Sequence, residues 1–260
     1  RVVLSGNLGI DDWLQKRIDL SKVELFGIQC NVYPTGDGSW SVEGLIPHPK
    51  PNSTPPKIIF AGATVNLRKS DHTDAPRITF HDLTGVVDHR KIVVASQTTK
   101  VIDANVTGRS SGTIGSFQIK AHVAPERNTW AVEGNIKRLM LAKSLHETLP
   151  PEISKYLAQL SGLECEAGAA FKVTSQNGTP PNFTVDGQLR SGRFQDERLP
   201  YLLQNIDSQF TCENSVLKLK NLSAESGAAK IKLNANIFGY RPKSPLVVAA
   251  KVANLELDHR

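Results

Sequence analysis

The chain has 260 residues, of which 39% are hydrophobic and 22% are charged, and its formal net charge is +6. This balance is typical of a soluble globular protein and argues against a disordered chain. No apolar run approaches the roughly 20 residues that cross a bilayer, so neither a transmembrane helix nor a signal peptide is predicted. The basic excess would tolerate anionic partners, but the charges are scattered as on a solvated outer face. The single Met and the terminal Arg1 and Arg260 indicate a segment of a longer protein.

A repeated β-hairpin unit accounts for the first elements along the chain. Two alternating runs, Phe26–Tyr33 and Phe117–Val123, each lead through a polar turn to an aromatic-x-Val-acid-Gly stretch, Trp40–Gly44 and Trp130–Gly134. The same stretch recurs at Phe183–Gly187. Strand, turn and strand in this order predict hairpins used repeatedly. Function in such a protein is expected on a face or along a groove rather than at one catalytic constellation.

Helical segments and breaks are few. A short helix is predicted over Ile10–Arg17, and a second over residues 149–160, where two prolines suit a helix start. A proline-rich spacer, Pro47–Pro56, separates the first units. We therefore divide the chain into 1–50 (helix and hairpin), 57–145 (central β segment) and 146–260 (helix and C-terminal β segment). One continuous sheet is allowed across all three.

Period-two alternation dominates the last third of the chain. Ala229–Ile237 places apolar residues on one face and Lys and Asn residues on the other, and Leu217–Lys220 and Leu246–Val252 repeat the pattern. One dry face and one wet face are typical of antiparallel sheets. The pattern predicts a mainly β protein.

No chemistry-bearing motif is found. The pairs His81-Asp82 and Asp88-His89 match no metal-ligand spacing, and solvated strand or turn positions explain them better. The three cysteines form no CxxC pair or Cys/His cluster, and no catalytic or phosphate-binding signature occurs. We expect neither an enzyme nor a bound metal or cofactor. With 6% aromatic residues and no basic–aromatic interleaving, a nucleic-acid partner is also not expected.

The order of the units carries a family resemblance. The segments that carry it are Ile18–Val32, Asp37–Trp40, Lys57–Leu67, Arg77–Gly85, the helix that starts at Leu149-Pro-Pro, Val185–Phe194 and Leu217–Gly227. In this order they resemble the AsmA-like family, the relatives of TamB and YhdP in bacteria with two membranes. The resemblance covers nearly the whole chain through degenerate patterns of apolar, Gly and Asn positions.

The resemblance implies a periplasmic protein that is anchored to the inner membrane by a segment outside this chain. It implies an extended antiparallel sheet curved into an open groove, with one or two short helices. Its apolar interior would shield or conduct phospholipid acyl chains between the inner and outer membranes, with other envelope proteins as possible partners. The lipid-facing candidates that we place on the dry face are Val65, Leu67, Ile119, Ile231, Leu233, Ile237, Val248 and Val252.

Alternation alone leaves two other functions open. A ligand-free β-sandwich interaction module needs the same pattern, with the same residues in a closed core. An outer-membrane protein assembly factor would bind unfolded strands through an exposed sheet edge. A carbohydrate-active enzyme comes last, because no carboxylate pair stands out.

Overall fold

Most of the described residues lie in fourteen strands. The structure is a computed structural model, and it describes residues 1–7, 19–35, 39, 41, 55–68, 78–94, 97–110, 114–143, 145, 162–196, 201–239 and 244–254. The strands are β1 Val2–Asn7, β2 Asp19–Phe26, β3 Gln29–Val32, β4 Lys57–Leu67, β5 Ile78–Val94, β6 Gln97–Ser110, β7 Ile114–Ala124, β8 Thr129–Leu141, β9 Leu163–Ser175, β10 Asn182–Phe194, β11 Leu203–Glu213, β12 Val216–Ser226, β13 Ala229–Phe238 and β14 Leu246–Ala253. The prediction of a mainly β protein is confirmed.

The strands form one extended sheet in which most neighbours along the chain are also neighbours in space. The hydrogen-bonded order is β1-β2-β4-β5-β6-β7-β8-β9-β10-β11-β12-β13-β14, and β3 also pairs with β4. By internal contacts the chain divides into two compact units. Unit 1 comprises Arg1–Ser111, Ser116–Glu133 and Thr174–Pro180, and unit 2 comprises Gly112–Gly115, Gly134–Val173 and Pro181–Arg260.

Several predicted elements are confirmed with close boundaries. The alternating run Ala229–Ile237 is β13, and Leu246–Val252 is β14. The run Phe117–Val123 lies in β7, and it leads through a 3-10 turn at Pro125–Arg127 into β8, which carries the second repeated stretch. The period-two pattern succeeds here because it depends only on local pleating.

The run Phe26–Tyr33 differs from its predicted single strand. It is divided between β2 and β3 by Gly27, whose φ is +58°. Both strands lie parallel to β4, which has its own left-handed residue, Gly62, at φ +64°. Glycine adopts positive φ at no steric cost. The chain therefore bends between β2 and β3 at Gly27 and within β4 at Gly62, and the pairing continues on either side of the bend. The two parallel pairings are the exceptions in an otherwise antiparallel set of registered strand pairs.

Bulges interrupt consecutive strands in each unit. In unit 2 they coincide with positive φ at Ser191, Asn205 and Asn221, and in unit 1 with positive φ at Asp82. Polar side chains of the next strand accept hydrogen bonds from the backbone N–H groups at two of these bulges. The Ser191 N–H donates to the Asp207 carboxylate (3.2 Å), and the Asn221 N–H donates to the Asn234 side-chain oxygen (2.8 Å). A bulge bends its strand and increases the local twist.

Some predictions fall on residues that the structure does not describe. The following predictions lie outside the described residues: the helix over Ile10–Arg17, the helix over residues 149–160, the spacer up to Thr54, and the first repeated stretch except Ser41. Within the part of the chain that is described, no helix has the length and apolar character to cross a membrane.

The buried core of unit 2 is small. Leu163, Cys165, Ile206 and Ala224 are buried together, and the residues packed around them are Leu141, Leu189, Phe194, Leu203, Leu222 and Ile231. This cluster lies at one end of the strands, beside the bulges of β10 and β11. Its members Leu222, Ala224 and Ile231 lie on β12 and β13, so the cluster covers one end of the apolar side of these strands.

Candidate functional site

Apolar side chains in unit 2 lie in rows across five consecutive strands, β10 to β14. Strand register aligns Val185, Cys212, Leu217, Ile237 and Leu246 in one row, and Gly187, Phe210, Leu219, Ala235 and Val248 in the next. Two shorter rows follow on the same face: Leu222, Leu233 and Ala250, then Ala224, Ile231 and Val252. Registered partners point to the same side of a sheet. We call this surface the unit 2 apolar face.

The unit 2 apolar face is incompletely covered. Leu219, Leu233 and Ile237 are partly exposed, and exposure rises to 47% at Val248 and 49% at Val252 on β14. In a closed sandwich the large residues of the inner faces would be buried by the opposing sheet. Across the described residues, the buried hydrophobic positions include many small ones, and Val101 is the largest side chain that is fully buried.

Aromatic rings lie over glycines on the apolar faces of both units. A Cβ at Gly187 would contact the Phe210 ring (2.6 Å to Cε1), and a Cβ at Gly85 would contact Phe60 (2.6 Å to Cζ). Gly108 stands in the same relation to Phe117. A ring laid across a glycine fills the missing side chain and protects the strand. The result is a level apolar surface in place of a pocket.

Unit 1 has a comparable apolar face. One row contains Val2, Leu25, Phe60, Gly85, Val106 and Ile119, and the next contains Leu4, Val23, Ile58, Val87, Ala104 and Ala121. Along β4 the face continues through Val65, paired with Phe80, and Leu67, paired with Ile78. The rings of Phe80 and Phe117 meet edge-on, with centroids 5.6 Å apart. We call this surface the unit 1 apolar face.

The eight predicted lipid-facing residues thus fall into two groups. Val65, Leu67 and Ile119 lie on the unit 1 apolar face. Ile231, Leu233, Ile237, Val248 and Val252 lie on the unit 2 apolar face. The prediction missed the residues that complete the rows, notably Phe60, Phe210 and Leu219. Phe60 pairs with Gly85, Phe210 pairs with Gly187, and Leu219 pairs with Ala235 of a predicted strand. These relations can be recognised only when the strand pairing is known.

The opposite face of unit 2 is polar and carries a concavity of about 740 Å³ across β8 to β12. Gly168 and Ala170 lie among its lining residues, and its charged members are Lys137, Arg138, Glu166, Asp186, Arg190 and Lys220. Arg138 approaches Glu166 (Nε to Oε2, 3.7 Å), and Arg190 donates to the Gln188 side-chain oxygen (3.1 Å). These charges make this side unsuited to an acyl chain.

The polar face of unit 1 holds a small ionic cluster. Asp103 accepts hydrogen bonds from Arg90 Nε (2.9 Å) and from His122 Nδ1 (2.8 Å). Partial burial alone would raise the pKa of Asp103, but the hydrogen bonds and charges of His122 and Arg90 outweigh it and hold this pKa below its usual value. Asp82 pairs with Arg109. Within the described ranges, no three His, Cys, Asp or Glu side chains are placed to hold a metal ion.

None of the three cysteines forms a disulfide bond. Burial raises the pKa of the Cys165 thiol to about 11, as expected of a structural core residue.

Comparisons with protein-family models, with curated proteins and with solved structures find no match to this chain.

Proposed function

We propose that this chain is a segment of an AsmA-like envelope protein that shields or conducts phospholipid between the inner and outer membranes without catalysing a reaction. The observation that carries the proposal is the unit 2 apolar face. It is continuous over five strands and remains partly exposed at its large residues. A periplasmic location and an inner-membrane anchor outside this chain belong to the proposal through the sequence resemblance.

The dimensions of the face suit an acyl chain. Five strands at about 4.8 Å spacing extend roughly 19 Å across the sheet. One leaflet contributes about half of a 30 Å hydrocarbon core, so an extended tail needs about 15 Å. Each methylene moved from water onto an apolar surface contributes up to about 0.8 kcal/mol. Transfer of a tail onto this face therefore favours binding, while the direction of transport is set by an external gradient.

The bulges support curvature toward a groove. Register shifts occur in the β10–β11, β11–β12 and β12–β13 pairs, with left-handed residues at Ser191, Asn205 and Asn221. Bulges in successive strands bend a sheet along a line and are a known means of curving it. A curved apolar face surrounds a lipid tail better than a flat one, because more of the tail leaves water.

The proposal is tested by extracting gently purified protein with organic solvent and identifying co-purified lipid by mass spectrometry. Leu233→Asp puts a carboxylate in the third row of the apolar face, and we expect it to abolish phospholipid loading. The matched control is Asn234→Asp, which adds the same charge one residue away on the polar face. An aspartate there still accepts the hydrogen bond from the Asn221 N–H. A lipid-free, folded wild type, or equal loading of all three proteins, contradicts the proposal.

A second candidate function is supported by the exposed edge of β14. Within the described residues this strand has one registered neighbour, β13, and Leu246 and Val247 are 57% and 59% exposed. Open edges with apolar side chains add further strands readily, as an outer-membrane protein assembly factor requires. The double substitution Val247→Lys with Ala249→Lys should abolish binding of an unfolded β-strand peptide if this function holds. Leu233→Asp would leave such binding intact.

A further inference from the structure

The unit 1 apolar face ends in a row of lysines. Its last apolar row contains His89, Ile102 and Val123, with the histidine as the first polar member. The next row on the same side pairs Lys91 directly with Lys100. Lys91 is exposed and Lys100 is partly buried. Residues that are directly opposite in a strand pair have Cβ atoms about 5 Å apart. Both ammonium groups can therefore contact the same anionic group of a ligand.

Neither of the two ammonium groups forms an ion pair with a carboxylate of the described residues. Glu126 instead accepts a hydrogen bond from the Lys100 backbone N–H (3.3 Å). Asp88 and Asp103, the acids of β5 and β6 that are nearest in sequence to the lysines, point to the opposite face. There Asp88 lies near Lys57 (3.9 Å), while Asp103 is bound by Arg90 and His122.

His89 adds an unsatisfied polar atom to this row end. Its Nδ1 is buried and has no hydrogen-bond partner in the described part of the chain. A buried ring nitrogen without a partner is costly, and a ligand that supplies a partner recovers that cost. An anionic phosphate oxygen offers a counter-charge to both lysines, and it offers an acceptor to an Nδ1–H of His89 when the ring turns out of its buried position.

We propose that Lys91, Lys100 and His89 bind the phosphate of an anionic phospholipid headgroup whose acyl chains lie on the unit 1 apolar face. The proposal rests on the proposed function, since it assumes that the apolar faces carry lipid tails. It adds a preference for anionic headgroups and an orientation of the bound lipid. The phosphate lies at the lysine row, and the tails extend toward Val87 and Ala104. The cations stand where the apolar rows stop, which is where a lipid changes from tail to headgroup.

A matched control exists within the chain. Lys232 and Lys251 are also directly opposite one another, on β13 and β14, but they lie on the polar face of unit 2. Neutralising either pair removes the same charge from the same cross-strand geometry. Only the pair Lys91 and Lys100 adjoins an apolar face and an unpartnered imidazole.

The test is a titration of the folded chain with dihexanoyl phosphatidylglycerol, followed through the His89 imidazole resonance by NMR. Parallel titrations use dihexanoyl phosphatidylcholine and inorganic phosphate. We expect phosphatidylglycerol to shift the His89 resonance at lower concentration than either. In the Lys91→Gln, Lys100→Gln double variant the Kd for phosphatidylglycerol should rise at least about tenfold, which is the effect of losing one good charged contact. The Lys232→Gln, Lys251→Gln variant should bind as wild type does.

Three results overturn the proposal. Equal shifts with inorganic phosphate identify a site for free anions, equal shifts with phosphatidylcholine remove the anionic preference, and equal weakening in the control variant indicates a general charge effect. The outcome is separable from that of the lipid extraction. Co-purified lipid without a His89 response rejects the headgroup site alone. A His89 response in a protein that carries no lipid rejects the proposed transport function and leaves the site in place.

Discussion

Truncation of Leu233 to alanine measures how open the unit 2 apolar face is. The change removes three carbons, and at about 0.8 kcal/mol for each buried methylene the fully buried limit is roughly 2.4 kcal/mol before any cavity cost. Because Leu233 is already partly exposed and its neighbours leave an open surface, we expect a loss of about 1.5 kcal/mol. Ile206 is 5% exposed in the core cluster, so Ile206→Ala should cost about 3 to 4 kcal/mol through the added cavity.

The comparison is made by urea denaturation followed by circular dichroism, with both variants and the wild type at one temperature and without detergent. The informative quantity is the difference between the two losses, since both residues belong to unit 2 and unfold with it. A Leu233→Ala loss equal to that of Ile206→Ala would show that a second layer covers the face. That result would refute the open face and favour the closed sandwich.

Three further predictions concern the glycine contacts, the ionic cluster and the buried thiol. Gly187→Val should destabilise unit 2 by about 2 kcal/mol, because its Cβ would lie against the Phe210 ring and 2.7 Å from the Gly168 carbonyl oxygen; an unchanged thermal midpoint would contradict the contact. The lowered pKa of Asp103 means that its stabilising contribution is complete above about pH 4 and is lost as pH falls through the folded-state value. Wild type should therefore lose more stability than Asp103→Asn between pH 5 and pH 3 in urea titrations, and equal losses would refute this. With a pKa of about 11, roughly one Cys165 thiol in a thousand is ionised at pH 8, so iodoacetamide should label it only on unfolding; rapid labelling of the native protein, read by mass spectrometry, would show otherwise.

The local part of the fold was predictable from the sequence. Side-chain direction alternates every residue in a strand, so Ala229–Ile237 indicated both the strand and the face that Leu233 occupies. The parallel pairing of β2 and β3 with β4 was not predictable, because it depends on contacts between segments over 30 residues apart. Short alternating runs do not identify their partners.

The bulges were predictable only in part. Asn205 and Asn221 are of a residue type that tolerates positive φ, whereas the residue type of Ser191 gives no such indication. Their left-handed conformations are imposed by pairing across the sheet. Openness was also beyond the sequence, since an open face and a closed core use the same alternation. The exposure of Val248 and Val252 distinguishes them only once the strands are placed.

The repeated aromatic-x-Val-acid-Gly stretch acquires a physical meaning from the register. In β10 its first, third and fifth positions, Phe183, Val185 and Gly187, alternate onto one face, and the glycine receives the ring of Phe210 from the next strand. On this face the stretch therefore presents a large ring, then a branched side chain, then a glycine that is covered by a ring of the next strand. The apolar surface is level as a result. A level surface binds by area rather than by shape, so it suits flexible acyl chains of varied length. An acyl chain that lies along this face within one unit must contact every row, so the most polar row limits its binding. A single charge at Leu233 should therefore block loading, although its effect on packing is local.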